Sequence, residues 1–305
     1  MSRFSTAMDV PRRLSYHAYT IWLFTRSDIK TTIVPNTIFG LVGALESKSR
    51  GGNVSWEVLL RMPLVVLWLW MNLLAFNVDN QRQPSSILED KLNKPWRAMP
   101  TGRISGPSAK VLVFILYPVS ILASLWLGGV RHSLSLLVLG VLYNDMRLGD
   151  YSWVTRNIVN AAGFRCFAAG AMEVAMQCPL SAADHSTATR WLGVIAAVVF
   201  SSIQMQDMAD QPGDRMRGRK TMPLSVGDAV TRWLSAIVMV VWSLICPLYW
   251  AVGLAPQFVV WAVGFSGAVR TLTVRTVEAD ARTFKLWNIW MACFYFLPLV
   301  ATLGW

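Results

Sequence analysis

The chain has 305 residues, of which 54% are hydrophobic and 15% are charged, and its formal net charge is +11. Because a soluble domain is ordinarily about one quarter charged, this composition argues against a soluble protein and predicts one integral membrane domain over residues 1–305, embedded in a lipid bilayer. The positive charge does not indicate nucleic-acid binding, because the basic residues lie between long apolar runs, as they do in the cytosolic loops of membrane proteins.

The chain begins with a polar segment and continues with apolar runs of membrane-spanning length. Residues 1–27 predict either an interfacial segment or a plain lead-in to the first membrane helix, with Tyr16, Tyr19, Trp22 and Phe24 as candidate interfacial anchors. Apolar length and helix breakers then predict an all-α fold of about nine transmembrane helices. Their approximate ranges are 28–47, 55–82, 106–128, 130–146, 153–177, 189–209, 229–253, 256–274 and 284–303.

The basic residues are distributed unevenly between the two ends of these helices. Lys and Arg are concentrated in the N-terminal tail and in the loops after the second, fourth, sixth and eighth predicted helices. The intervening loops are poorer in positive charge. The positive-inside bias therefore predicts that the N-terminus and the even-numbered loops face the cytosol.

A first acidic cluster ends the second predicted helix, in the stretch "NVDNQRQPSSILEDKLNKPWRAMPTGRIS" of residues 77–105. Steps of four, three and four residues place Asp79, Gln83, Ser86 and Asp90 on one helical face, although Pro84 can bend the helix between them. Because carboxylate and amide oxygens bind metal ions, the predicted ligands here are Asp79, Asn80, Gln83, Glu89 and Asp90. The alternative is a capped helix end followed by an ordinary basic turn.

A second acidic cluster ends the sixth predicted helix and has a regular spacing. The pattern D-x-x-D-x-x-x-D-x-x-x-G-x-x-T-x-P places Asp207, Asp210 and Asp214 on a single helical stripe. Three like charges near a membrane core need a counter-charge, and Mg²⁺ is the natural one because it binds carboxylates together with substrate phosphates. The basic residues beside the cluster, Arg215, Arg217, Arg219 and Lys220, can bind diphosphate oxygens. The alternative is a solvated helix end with a charged loop.

The two clusters together predict more than either one alone. Both end a long predicted helix, and the charge distribution places both on the same side of the membrane. Two acidic helix ends at one cavity mouth can hold two or more Mg²⁺ ions around one diphosphate and neutralise it as a leaving group. The allylic carbocation formed in that step needs a pocket that excludes water.

The two clusters resemble the motifs of the UbiA superfamily of intramembrane prenyltransferases. The second cluster matches the family pattern closely, with Gly218, Thr221 and Pro223 in place. In the first cluster, "DKLNKPWRAMPTGRIS" matches the downstream half of the family pattern, with Asp90 as its last aspartate. The leading Asn-Asp-x-x-Asp of that pattern is broken, because its aspartates fall on Gln83 and Ser86. This departure resembles a fungal branch of the family that contains membrane terpene cyclases of the bergamotene-forming type.

The resemblance implies a helical bundle around a central cavity, Mg²⁺ as cofactor and a prenyl diphosphate as substrate. It also implies that "LYNDMR" and "TRNIVNAAG" supply diphosphate- and cavity-lining groups, here Asn144, Arg156 and Asn160. Glu89 and the upstream Asp79-Asn80-Gln81 are the candidates to supply the missing ligands. The aromatic side chains of this sequence could stabilise a carbocation, or could serve in interfacial belts and in packing. Those near the site on the helix map are Trp68, Trp70, Phe76, Trp153, Phe164 and Phe167.

The favoured hypothesis is a Mg²⁺-dependent terpene cyclase of UbiA type that closes farnesyl diphosphate to a sesquiterpene, with no required protein partner. Asp90, Asp207, Asp210 and Asp214 are the predicted catalytic metal ligands. The predicted diphosphate ligands are Lys94, Arg97, Asn144, Arg156, Asn160 and Lys220. The alternatives are an intermolecular prenyltransferase with an aromatic or other acceptor and a cation-coupled transporter. The expected location is the endoplasmic reticulum membrane, with both acidic clusters on the cytosolic face.

Overall fold

The protein is an all-helical bundle in the computed structural model, which describes residues 3–49, 56–180 and 186–305. The helices are α1 (Arg3–Thr25), α2 (Val34–Ser49), α3 (Trp56–Leu60), α4 (Met62–Gln81), α5 (Pro84–Asn93), α6 (Gly106–Leu127), α7 (Val130–Asn144), α8 (Leu148–Tyr151), α9 (Trp153–Met176), α10 (Ser186–Ser202), α11 (Asp207–Arg217), α12 (Met222–Ser225), α13 (Asp228–Tyr249), α14 (Leu254–Thr273) and α15 (Val277–Thr302). A π-helical turn (Ile29–Ile33) precedes α2, and a 3₁₀ turn (Ile203–Gln206) precedes α11. The predicted all-α fold is confirmed.

Several of these helices have the length and composition of membrane spans. In the part of the chain that the structure describes, five segments are long and apolar enough to cross a bilayer: Met62–Gln81, Gly106–Leu127, Thr187–Arg217, Asp228–Tyr249 and Val277–Thr302. Each of the nine predicted ranges overlaps a helix of the structure. The membrane fold is therefore confirmed, and the number of nine crossings stays a prediction.

The N-terminal segment is helical up to Thr25 and packs against the bundle through part of its surface. Tyr16, Tyr19 and Trp22 are exposed, as expected for interfacial anchors, and the Arg103 guanidinium lies 4.0 Å from the ring centroid of Tyr16. The prediction is wrong for Phe24, whose ring is fully buried in a cluster with residues of α4 and α6. This cluster fixes the end of α1 beside the C-terminal end of α4.

The first acidic cluster is divided between two helices. Helix α4 ends at Gln81, Gln83 is extended with a ψ of 134°, and Pro84 occupies the first turn of α5. Proline lacks an N–H donor and is tolerated at a helix start, so the chain begins a new helix at this point. The prediction of one helical face running from Asp79 to Asp90 is therefore wrong.

Close packing of small residues holds α2 and α4 against the C-terminal half of α9. Residues 166–176 of α9 are all buried. A Cβ atom added to Gly40 of α2 would lie 2.8 Å from Ala171, and one added to Gly170 would lie 2.0 Å from the Trp68 ring of α4. Small residues at such contacts let helices approach closely. This close packing occupies the C-terminal half of α9, and the cavity that both acidic clusters border lies beside the N-terminal half of α9.

Candidate active site

A cavity of about 170 Å³ lies beside the N-terminal half of α9. Its apolar wall is formed by Leu73, Phe76, Leu136, Leu139, Tyr143, Val159, Phe164 and Phe167, from α4, α7 and α9. Its charged mouth, where α4 ends and α9 begins, is formed by Asp28, Glu89, Lys94, Arg97, Arg156, Asp210 and Arg219. Of the aromatic residues singled out in the sequence, Phe76, Phe164 and Phe167 line the cavity, whereas Trp68, Trp70 and Trp153 do not. The cavity thus combines an apolar interior with an ionic opening.

The structure brings the two acidic clusters together through a direct contact between α5 and α11. The Asn93 side chain donates a hydrogen bond to the Asp210 carbonyl at 2.9 Å and accepts one from the Gly213 N–H at 3.1 Å. A Cβ atom added to Gly213 would lie 2.3 Å from the Asn93 amide nitrogen, so only glycine allows this approach. The Lys94 ammonium then lies 2.9 Å from the Asp210 carboxylate.

Replacing Gly213 by alanine is expected to lower both the melting temperature and the turnover rate. The added methyl group displaces Asn93 and separates the two helices, and overpacking of this kind costs roughly 1–3 kcal/mol. Gly193→Ala is the matched control, because Gly193 lies in α10 with no atom within 4 Å of an added Cβ. Thermal unfolding of the solubilised protein measures the difference, and an equal melting temperature for the two variants contradicts the expectation.

Buried arginines join the clusters around Glu89. The Glu89 carboxylate accepts hydrogen bonds from Arg217 at 3.0 Å and from Arg219 at 2.9 Å. Arg219 also binds Asp214 at 3.1 Å, and Arg217 donates to the Ser86 hydroxyl. Ser86 therefore faces α11 and is not among the residues that line the cavity.

Asp150, in the short helix α8, is a member of this network that the sequence pattern did not indicate. Its carboxylate lies 3.0 Å from both Arg217 and Arg219. Burial alone would raise its pKa, but the two guanidinium groups hold the pKa of Asp150 below its usual value. Asp150 lies in the same loop as Arg147, and its only signal in the sequence is an acidic residue in a basic loop.

The three aspartates of α11 face different partners. Asp210 lines the cavity, whereas Asp207 and Asp214 are fully buried beside it. Asp207 pairs with Arg156 at 2.7 Å, and Arg156 also donates to the Tyr143 hydroxyl. The predicted stripe therefore carries one residue at the cavity surface and two that hold the surrounding arginines.

Asp90 is paired within its own motif. Arg97 donates to both of its carboxylate oxygens, at 2.9 and 3.1 Å. Burial raises the pKa of Asp90 above its usual value, against the opposing effect of Arg97. Asp90 is almost completely buried and is not among the cavity-lining residues, whereas Arg97 is.

The remaining predicted site residues are placed both inside and outside the cavity. Asn80 and Asn160 line it, and the Asn160 amide nitrogen is buried without a hydrogen-bond partner. Asp79 lies outside the lining, where Arg82 approaches to 2.6 Å and Asn144 donates to it at 3.3 Å. Gln83 and Lys220 also lie outside the lining; Gln83 contacts Asp145, and Lys220 is exposed beside the Tyr151 ring.

The oxygen ligands around the mouth fit Mg²⁺ when it is bound jointly with a phosphate. Asp214 has one buried carboxylate oxygen, Oδ2, without a hydrogen-bond partner, and Asp210 faces the cavity. Among the described residues, no three His, Cys, Asp or Glu side chains are grouped closely enough to hold an ion by themselves. Mg²⁺ commonly binds through one or two carboxylates with substrate phosphates, so this set fits a shared site.

The charge of the cavity lining favours an anionic ligand. Four basic side chains, Lys94, Arg97, Arg156 and Arg219, face three carboxylates within the described lining. Guanidinium groups bind phosphate oxygens through paired hydrogen bonds, and the apolar wall accommodates a hydrocarbon. The fold and the site together define an intramembrane enzyme for a substrate with an anionic head and an apolar chain.

The chain belongs to the UbiA prenyltransferase family, whose model matches residues 34–298. It is similar to somaliensene A/B synthase of Streptomyces somaliensis, with 28% identity over 98% of this chain and 97% of that protein. It is also similar to fumagillin beta-trans-bergamotene synthase of Aspergillus fumigatus, with 28% identity over 74% of this chain and 72% of that protein. The resemblance inferred from the two clusters is confirmed.

The fold is also that of a solved member of the family. A UbiA homolog from Archaeoglobus fulgidus bound to GPP and Mg²⁺ superposes with a TM-score of 0.56 and 13% sequence identity. The match covers 92% of this chain and 100% of that one. At this identity the likeness establishes the fold, and family membership favours a UbiA-type enzyme over a cation-coupled transporter.

Proposed function

We propose that this protein is a Mg²⁺-dependent, membrane-embedded terpene cyclase that ionises farnesyl diphosphate and closes it to a sesquiterpene. The observation that carries the proposal is an apolar cavity under a mouth where both acidic clusters meet. The broken first cluster and the similarity to two terpene synthases support a cyclase over a transferase. The charged mouth would hold the diphosphate, and the apolar wall would hold the chain.

The binding roles follow from the side chains at the mouth. Lys94, Arg97 and Arg156 line the cavity and would bind diphosphate oxygens, and Asn160 offers a buried N–H donor without another partner. Asp210 and Glu89 at the mouth would hold Mg²⁺ together with Asp214, which is buried beside the cavity and has one carboxylate oxygen without a partner. Bound Mg²⁺ neutralises a diphosphate leaving group as its carbon–oxygen bond breaks.

When the diphosphate leaves with the bonding electron pair, an allylic carbocation remains. The apolar wall would control how this cation reacts. A double bond of the same chain can attack that cation if the chain is folded inside a cavity that excludes water. Phe76, Phe164 and Phe167 present aromatic rings, each of which stabilises a nearby cation by about 0.5–2 kcal/mol. The diphosphate retained at the mouth can accept the proton that the cyclised cation loses.

The depth of the lining supports a farnesyl chain. The lining residues on α9 extend from Arg156 to Phe167, three helical turns or about 16 Å. This depth is comparable with the length of an extended farnesyl group. Trp68 packs against Gly170 one turn further along α9, so the bundle is closed beyond Phe167.

The test is to incubate the purified full chain with farnesyl diphosphate and Mg²⁺ without any acceptor. The expected result is a volatile sesquiterpene, detected by gas chromatography with mass detection, together with free diphosphate. EDTA is expected to stop diphosphate release, and added Mg²⁺ to restore it. Release that requires an added acceptor would show an intermolecular prenyltransferase instead, and a product only from a longer or shorter diphosphate would correct the chain length.

A further inference from the structure

A carboxylate from outside both acidic clusters reaches the charged mouth. Asp28 lies between α1 and the π-helical turn, and it lines the cavity together with Thr31 and Thr32 of that turn. Asp28 directly follows the N-terminal segment, and no sequence pattern predicted a role for it. A π-helical turn inserts a residue into a helix and is frequent at functional sites.

The contacts of Asp28 place it in the half of the mouth formed by the first cluster. Its Oδ2 atom accepts hydrogen bonds from the Asn77 amide at 2.8 Å and from the Ser27 hydroxyl at 3.0 Å. The nearest guanidinium, that of Arg97, is 3.8 Å away and is already bound to both oxygens of Asp90. The Oδ1 atom of Asp28 accepts no hydrogen bond from the described part of the chain.

Asp28 lacks the close basic partner that the other carboxylates of the mouth have. Glu89 is bound by two guanidinium groups at 2.9 and 3.0 Å, and Asp210 is bound by Lys94 at 2.9 Å. Among the three carboxylates that line the described cavity, Asp28 alone has no cation within 3.5 Å. Of these three carboxylates, Asp28 is therefore the one whose charge is least compensated by neighbouring basic side chains.

The first cluster lacks a carboxylate where Asp28 could supply one. Ser86 stands at the position of the missing aspartate and is bound to Arg217, and Asp79 is bound to Arg82 outside the cavity lining. The carboxylate of Asp90 already accepts hydrogen bonds from Arg97. No residue of α4 or α5 other than Glu89 presents a carboxylate to the described cavity.

An unpartnered donor in the same corner indicates the kind of ligand. The Nε atom of Arg97 is buried without a hydrogen-bond partner, and Arg97 is 8% exposed and lines the cavity. A buried guanidinium N–H without a partner is costly and fits an anionic oxygen. The corner thus offers a carboxylate for a cation beside a donor for an anion.

We propose that Asp28 supplies the metal-binding carboxylate that the first cluster lacks at Ser86, holding a divalent ion on the diphosphate bound by Arg97. The inference rests on the proposed function, because it requires a diphosphate at the mouth. It makes Asp28 a cofactor-binding residue contributed by the N-terminal segment.

The test measures metal binding apart from turnover. Mn²⁺ replaces Mg²⁺, and its binding to the full chain is followed by electron paramagnetic resonance in the presence of farnesyl thiolodiphosphate, an unreactive substrate analogue. Asp28→Asn is expected to weaken Mn²⁺ binding by about 10-fold to 100-fold, the usual effect of removing a group that supports a metal site. Asp28→Glu is expected to restore part of the loss.

Two controls separate a metal-binding role from a structural one. Asp28→Asn keeps an acceptor oxygen for Asn77, so its melting temperature is expected to equal that of the wild type; Asp28→Ser gives the same metal measurement if the first variant does not fold. Glu278→Gln removes an exposed carboxylate at the start of α15 and is expected to leave Mn²⁺ binding unchanged.

The outcomes distinguish this inference from the proposed function. Wild-type Mn²⁺ affinity in Asp28→Asn, in a protein that still converts farnesyl diphosphate, overturns the role of Asp28 alone. A wild-type protein that neither binds Mn²⁺ with the analogue nor releases diphosphate overturns both. Weakened binding in the Asn and Ser variants with partial recovery in the Glu variant supports the proposal.

Discussion

Replacing Asp210 by alanine is expected to reduce the rate of diphosphate release by about 10²–10³-fold, the usual effect of removing one preorganised electrostatic group from an active site. Asp210 is the aspartate of α11 that faces the cavity, and its partner Lys94 comes from the first cluster. Its removal would take away a proposed metal ligand and would leave Lys94 without its counter-charge. The rate at saturating farnesyl diphosphate and Mg²⁺ is the measurement.

The matched control is Asp145→Ala, which also removes a carboxylate that pairs with a basic residue. Asp145 binds Arg82 at 2.9 Å, but its side chain is 43% exposed and lies outside the cavity lining. An exposed pair contributes only about 0–1 kcal/mol, so this variant is expected to keep its activity. Near-normal turnover in Asp210→Ala would remove Asp210 from the metal site.

Replacing Arg219 by alanine is expected to destabilise the folded protein by about 3–5 kcal/mol, because it leaves buried carboxylates without their partner. Arg219 bridges Glu89, Asp150 and Asp214 at 2.9–3.1 Å, from three separate elements. Arg219→Lys is expected to recover little, since one ammonium group cannot reproduce the planar fork of a guanidinium. The melting temperature and the turnover rate are both expected to decline.

Arg215→Ala provides the comparison for this prediction. Arg215 lies on the same helix end but is exposed, so its loss is expected to change the melting temperature little. If the Arg219→Ala and Arg215→Ala variants have the same melting temperature, and Arg219→Ala has a normal turnover rate, the buried network does not hold the two clusters together.

The second acidic cluster shows what sequence periodicity can predict. Its spacing places Asp207, Asp210 and Asp214 on α11, and that helix continues through Pro212 to Arg217. Periodicity identifies a helical stripe but not which neighbour each residue meets. The division between one cavity-facing aspartate and two arginine-bound ones depends on Arg156 and Arg219, which the tertiary structure brings near.

The first cluster shows where local reasoning fails. A single proline at Pro84 starts a new helix, so residues on either side of it lose the shared face that their spacing indicates. Asp28 and Asp150 were missed for a different reason. Each meets partners more than 45 residues away along the chain, and no local pattern marks such a contact.

Gly213 is another residue whose role depends on a contact with a residue distant in the sequence. Its sequence context, within a helix and beside a proline, favours a loosened turn, yet its function is to admit Asn93. Only the position of α5 shows why a side chain is excluded there. The approximate positions of the long helices were therefore predictable, whereas the contacts between helix ends required the folded structure.

The ion pairs of the charged mouth also bear on how the enzyme returns to its starting state after each reaction. Glu89, Asp210 and Asp214 already have basic partners before any ligand enters. In the proposed reaction, loading the site would be an exchange of counter-ions: the basic side chains would bind the diphosphate oxygens, and the three carboxylates would hold its metal. When both leave, the original pairs would re-form, so these three carboxylates would not need solvent as a counter-charge between turnovers.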